Sequence, residues 1–182
     1  ESVDVEISLI VCTTSGVPVR DMVEIKAHLE GQLLHLVGPG SPGVFVPGQC
    51  AIGAIAKHIM HPGSVGIVSR SGSLAYEVTW LLTCAGFGQS TILGIGDGLI
   101  VGTGFVEVLE MFEDDPMTKQ IVLLGEIGGQ EEELAAEFIR DRLSKPVVAL
   151  VVGQTAPAGR RMGHQGAIIE GYSGTARIKI DA

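Results

Sequence analysis

An α/β fold is predicted for this chain: a doubly wound, flavodoxin-like parallel sheet preceded by a partial Rossmann-like unit. Three observations predict it. From Ser64 onward, short apolar runs alternate with stretches of helical spacing. Single or paired glycines follow those runs, where tight turns and close approach to the backbone require them. Apolar residues make up 46% of the chain against 18% charged, enough for a substantial core.

The elements read in order. Glu1 to Glu6 opens without a Met, and Ile7 to Cys12 reads as a buried strand ending in the turn Thr13-Thr14-Ser15-Gly16. Asp21 to His28 is expected as a helix and Leu33 to Val37 as a second strand. One strand–helix–strand unit cannot bury both faces of a sheet, so residues 1–42 are expected to belong to a domain whose first half is absent. Residues 43–63, punctuated by Pro47, Pro62 and several glycines, are expected as a linker. The main domain is expected over 64–182. Its strands are Val65 to Val68, Thr91 to Ile95, Ile121 to Leu124 and Val147 to Val152. Its helices are Leu74 to Cys84, Phe105 to Phe112 and Glu131 to Leu143, the last with Leu134, Ala135, Phe138 and Ile139 at helical spacing. Strand–helix alternation with right-handed crossovers gives a parallel sheet covered on both sides, whose ligands bind beyond the C-terminal strand ends.

Composition excludes several classes. A net charge of -9 with no Lys/Arg block argues against a nucleic-acid surface. Cys12, Cys50 and Cys84 are far apart and form no C-x-x-C, so neither a disulfide framework nor a zinc site is indicated. No apolar run reaches membrane-spanning length and no signal peptide opens the chain, so a soluble protein of the cytoplasm or mitochondrial matrix is expected, without a membrane or nucleic-acid partner.

Three motifs follow strands. In Ser69-Arg70-Ser71-Gly72-Ser73 a hydroxyl-rich turn opens a helix. It reads either as a plain helix cap or as a phosphate cradle of free N–H groups at the positive end of the helix dipole. Tyr76 lies a turn further on. In Gly125-Glu126-Ile127-Gly128-Gly129 a carboxylate leaves a buried strand among glycines; it is either a solvated loop acid or a ligand-facing group. In Gly159-Arg160-Arg161-Met162-Gly163-His164-Gln165-Gly166 a histidine sits between glycines and beside two arginines, a better candidate nucleophile or base than a structural histidine. His28, His35, His58 and His61 have no such setting, and no metal site is read.

Taken in order, these motifs, with Thr155-Ala156-Pro157 before the histidine and Gly166-Ala167-Ile168-Ile169 after it, resemble the alpha subunits of succinyl-CoA synthetase (succinate–CoA ligase). The likeness extends to Gly16-Val17-Pro18, Pro47-Gly48-Gln49-Cys50 and Lys145-Pro146-Val147-Val148. The resemblance implies a CoA-binding Rossmann-like domain, a ligase domain, and an alpha–beta heteromer of the tricarboxylic acid cycle. It implies reversible formation of succinyl-CoA from succinate and CoA with ATP or GTP cleavage, the nucleotide and Mg²⁺ being held by the beta subunit. It maps the phosphoryl-accepting histidine to His164, the carboxylate that holds its ring to Glu126, and phosphate binding to Ser71, Gly72 and Ser73. Tyr76 maps to a substrate contact, and Thr13, Thr14 and Ser15 to part of the CoA site. The family more often has an acid where Ser15 stands and a small residue where Gln165 stands. Its glycine-rich CoA loop would lie before residue 1, and a final helix–strand–helix after Ala182. Two other readings stand beside this one: a catalytically silent alpha-like assembly module, and an NDP-forming acyl-CoA synthetase for another carboxylate.

Overall fold

The computed structural model describes residues 7–169 and 174–182. Its main sheet has six strands. β1 (Leu9–Val11) and β2 (His35–Val37) pair in parallel as a separate small sheet, joined by α1 (Val19–Leu29). The large sheet holds β3 (Gly43–Val46), β4 (Cys50–Gly53), β5 (Pro62–Ser69), β6 (Gln89–Gly94), β7 (Gln120–Gly125) and β8 (Val147–Val151) in the order β4-β3-β6-β5-β7-β8. The strands β6, β5, β7 and β8 run parallel, while β3 is antiparallel to both its neighbours. The crossovers carry α2 (Gly72–Cys84), α3 (Phe105–Asp114) and α4 (Glu131–Arg142), and α5 (Ala176–Asp181) ends the chain.

Alternation along the strands sorts the core into two layers. Val68, Leu93, Ile121 and Leu123 pack on Phe105, Val108, Leu109 and Phe112 of α3 and Ala135 of α4. Their chain neighbours Ile67, Ile92 and Leu124 face the other way, onto Ala75 and Leu74 of α2 and Ile59 of a 3₁₀ turn (Lys57–Ile59). Residues one apart in sequence thus fill opposite layers, as a period of two demands of a sheet covered on both sides. The small sheet joins the first layer through Val37 and Val11. It is also tied there by Thr103 N–H to Leu36 O at 2.7 Å and Gly102 N–H to Gly38 O at 2.8 Å.

The expected linker at 43–63 is corrected: β3 and β4 form an antiparallel hairpin, and β3 extends the sheet beyond β6. Its physical basis is visible in the sequence only in retrospect. Phe45 is fully buried on the α2 side of the sheet. Pro47 and Gly48 make the hairpin turn, with Gly48 at φ +81°, where a glycine meets no steric penalty. The prolines and glycines that suggested a linker are therefore the ends and turn of a four-residue ribbon.

The strand order fixes where a ligand can sit. From β5 the chain crosses to β6 on one side, then passes over to β7 on the other and on to β8. The loops leaving β5 and β7 therefore diverge, opening a crevice at their C-terminal ends. Those loops begin at Arg70 and Glu126.

Candidate functional site at the strand ends

Two of the candidate residues meet in this crevice. His164 Nδ1 lies 2.7 Å from Glu126 Oε2, with the imidazole one-third exposed and the carboxylate buried at 6%. The parallel topology accounts for the meeting: Glu126 is the first residue beyond β7, and the loop after β8 folds back across the strand ends. That loop is held by Gly166 N–H to Asp97 O at 2.8 Å and by Met162 N–H to Ala167 O at 2.8 Å. Gly128, at φ +89°, lets it come close; a Cβ there would collide with Gly166 O.

In the neutral ring, a carboxylate facing Nδ1 accepts that nitrogen's N–H, and the lone pair then lies on Nε2. This assigns the tautomer from the hydrogen bond. A histidine so held can act as a nucleophile or base through Nε2 while one-third of its side chain meets solvent.

Behind the pair stands Arg70. Its guanidinium is 2% exposed and donates from Nη1 to Gly128 O at 2.9 Å and from Nη2 to Gly98 O at 3.0 Å, tying together the loops after β5, β6 and β7. Its Nε stands 3.9 Å from Glu126 Oε1, and among the described residues neither atom has a hydrogen-bond partner. Glu132, at the start of α4, accepts Glu126 N–H at 3.0 Å, lies 3.8 Å from Arg70 Nη1 and pairs with Lys179 of α5. Gly125 makes room for Glu132: a Cβ there would come 2.7 Å from its Cγ.

The hydroxyl turn lies at the same edge. Ser71 caps α2, accepting Leu74 N–H at 3.4 Å, and its Oγ is 3.1 Å from Ser73 Oγ. Gly72 and Ser73 begin the helix, so their amides lie among the first-turn N–H groups that lack intrahelical acceptors. Among the described residues no hydrogen bond joins Ser71, Gly72, Ser73 or Tyr76 to His164; Tyr76 is exposed on α2. Thr13, Thr14 and Ser15 lie exposed in the loop from β1 to α1, which is braced by Gly40 N–H to Thr14 O at 2.9 Å. This loop reaches the histidine loop through Gln165, whose Nε2 donates to Val17 O at 3.3 Å. Among the described residues no three His, Cys, Asp or Glu side chains cluster as metal ligands, and no helix is long and apolar enough to cross a membrane.

Sequence reasoning missed Glu132 and Lys179, and gave Arg70 no role of its own. Their signal is burial: charged side chains inside a core need partners, and three together mark a built network.

The chain is similar to known proteins in sequence and in fold. The family model for CoA-ligase matches residues 68–182. The "Succinate--CoA ligase [ADP-forming] subunit alpha 2" of Archaeoglobus fulgidus is 54% identical over 182 residues, all of this chain and 63% of that protein. The "Succinate--CoA ligase [ADP-forming] subunit alpha" of Staphylococcus aureus is 49% identical over 180 residues, 99% of this chain and 60% of that protein. The chain thus spans about 60% of the length of these relatives. Among solved structures, ATP citrate lyase from Methanothrix soehngenii, in complex with citrate and coenzyme A, superposes with a TM-score of 0.88 at 28% identity, over 95% of this chain and 30% of that one. A dinucleotide-forming acetyl-coenzyme A synthetase from Ca. Korarchaeum cryptofilum shares the fold at a TM-score of 0.68 and 22% identity, over 81% of this chain and 33% of that one. Matched by the family model from Val68 to Ala182, and alike along its length to proteins named as succinate–CoA ligase alpha subunits, the chain belongs to the CoA-ligase family.

Proposed function

We propose that this chain is the phosphoryl-carrying part of an ADP-forming succinate–CoA ligase alpha subunit, with His164 as the phosphoryl acceptor. The observation that carries the reading is the 2.7 Å contact of His164 Nδ1 with the buried Glu126 carboxylate, which reserves Nε2 for chemistry on a side chain one-third exposed. Relatives at about half identity, named as this enzyme's alpha subunit, support the substrate assignment. Their ADP-forming chemistry favours ATP over GTP.

In the forward direction the Nε2 lone pair attacks the terminal phosphorus of ATP. A P–N bond forms, the P–O bond to ADP breaks, and ADP leaves. The Glu126 carboxylate stabilises the positive charge that develops on the ring by holding the Nδ1 proton. A succinate carboxylate oxygen then takes the phosphoryl group, which frees the histidine and gives an acyl phosphate. The CoA thiolate attacks its carbonyl carbon, forming the thioester and expelling phosphate. On this reading the amides of Gly72 and Ser73, with the Ser71 and Ser73 hydroxyls, hold the phosphate at the head of α2. Tyr76 contacts the carboxylic acid, and Thr13, Thr14 and Ser15 contact CoA. Residues 1–42 are then part of a CoA-binding domain. A beta subunit brings the nucleotide and Mg²⁺.

The test is phosphoryl labelling. With a beta subunit, Mg²⁺ and γ-labelled ATP, the chain acquires an acid-labile, base-stable label, as a phosphoramidate does, and His164→Asn abolishes it. Label that persists in His164→Asn overturns the assignment.

A further inference from the structure

The two peptide groups flanking the Glu126 Cα lie just past the end of the sheet. The last rung of β7 on β8 pairs Gly125 with Val151, and Val152 N–H still reaches Gly125 O at 3.1 Å. Beyond that point no strand among the described residues supplies partners, yet Glu126 is buried and its backbone groups must be satisfied. Two side chains do it. Glu132 accepts the N–H of Glu126 at 3.0 Å. Lys179, 53 residues further along the chain, donates to the C=O of the same residue at 2.8 Å and to Gly128 O at 2.6 Å. Glu132 and Lys179 also pair directly with each other, and both side chains are within 2% of full burial. One buried ion pair therefore grips the residue facing His164 from both sides of its backbone, replacing the sheet ladder that has just ended.

We infer that Lys179 is a positioning residue for the His164 site, acting through the backbone of Glu126 with Glu132 as its counter-charge. This rests on the proposed role of Glu126 as the partner of the histidine ring. Among the described residues the charged or ionisable groups around Glu126 are Arg70 before α2, Glu132 on α4, Lys179 on α5 and His164 on the loop after β8. Arg70 shares the Gly128 carbonyl with Lys179 but reaches neither backbone group of Glu126. The Glu132–Lys179 pair holds both the N–H and the C=O of Glu126, and so bears on where its side chain starts and whether Oε2 meets Nδ1. A shift of about 1 Å in such a group costs on the order of a hundredfold in rate.

The experiment uses the full chain with its partner subunit. Lys179→Met alone strands the Glu132 charge in the core, so Lys179→Met/Glu132→Gln is the main variant; it removes both charges together and keeps an acceptor for Glu126 N–H. Lys179→Arg is the second, keeping the charge pair. The expected result for the double variant is a cooperative melt, nucleotide affinity within about twofold of wild type, and His164 labelling slowed at least tenfold. The ¹⁵N ring signals of His164, assigned with His164→Asn, move from one tautomer towards a mixture. Lys179→Arg recovers part of both. The ring signals report position without any phosphoryl transfer, so they separate this inference from the proposed reaction. Wild-type ring signals in a folded double variant overturn the inference, as do wild-type signals in Glu132→Gln, which removes the counter-charge of Lys179, if the double variant does not fold.

Discussion

Gln165 Nε2 donates to Val17 O at 3.3 Å, a bond across 148 residues that joins the histidine loop to the loop after β1. The side chain next to His164 is therefore a tether to the first unit of the chain, to the segment that carries Thr13, Thr14 and Ser15. The Gln165 amide is thereby engaged by a backbone carbonyl of the other loop.

Gln165→Ala removes that tether alone. A half-buried neutral hydrogen bond contributes about 0.5–1.5 kcal/mol, so melting falls by only a few degrees. Labelling of His164 stays within about threefold of wild type or rises. Hydrogen exchange of the amides from Gly16 to Arg20 accelerates, and unchanged exchange there would show that the tether does not hold the loop.

Gly128→Ala tests the approach of the two loops. Gly128 sits at φ +89°, where an alanine pays roughly 1–2 kcal/mol in backbone strain. Its methyl would also collide with Gly166 O, forcing the histidine loop away from Glu126. Melting temperature drops by at least about 2–8 °C from the strain alone. The His164 label falls more than about tenfold, and a label at wild-type rate would show that Glu126 and His164 do not need this packing.

The strands and helices from β5 to β8 were legible in the sequence, because each core strand fills both layers with apolar residues and each crossover has helical spacing. The placement of the three motifs was legible too, since parallel strands bring all their C-terminal ends to one edge. The hairpin β3–β4 was hidden because its strands are four residues long and bounded by the very prolines and glycines that mark loops. Lys179 was hidden for another reason. In the run Ala176-Arg177-Ile178-Lys179-Ile180 it reads as a surface residue of a short helix, and only the folded chain shows its ammonium reaching the carbonyls beyond β7. Pattern reveals which face of an element is apolar; it does not reveal which charged side chain crosses the core to finish a strand end.

Away from the site, Asp115 gives a pH dependence of stability. Burial works to raise its carboxyl, but the Thr118 hydroxyl, the Met117 amide and nearby Lys145 outweigh it and hold the group below its ordinary range. A folded-state value below the unfolded one means the group stabilises the fold at pH values above the unfolded one, about 3.9, and loses that contribution as pH falls through the folded one. Asp115→Asn should therefore melt lower than wild type at pH 7, by about 2–4 °C for roughly one hydrogen bond lost. The gap should close as the pH is taken below about 4. A gap that stays constant to pH 2 would assign the loss to packing instead of to charge.

The last prediction concerns Glu126 itself. Its Oε2 holds His164 Nδ1 while its Oε1 stands 3.9 Å from Arg70 Nε, without a hydrogen-bond partner among the described residues. Glu126→Gln keeps an acceptor oxygen for the ring N–H and the same volume, so the tautomer is retained, but the negative charge opposite the ring is gone. On the proposed reaction, phosphorylation at Nε2 builds positive charge on the imidazole, which the carboxylate would stabilise more in the transition state than before it. Replacing a charged by a neutral hydrogen-bond partner costs roughly 1.5–3 kcal/mol, or about ten- to a hundredfold in labelling rate. Labelling is thus slowed and not abolished, in contrast to His164→Asn, and nucleotide affinity is unchanged because Glu126 meets the ring and not the nucleotide. A labelling rate in Glu126→Gln equal to wild type would mean that the carboxylate orients the ring without bearing on its charge.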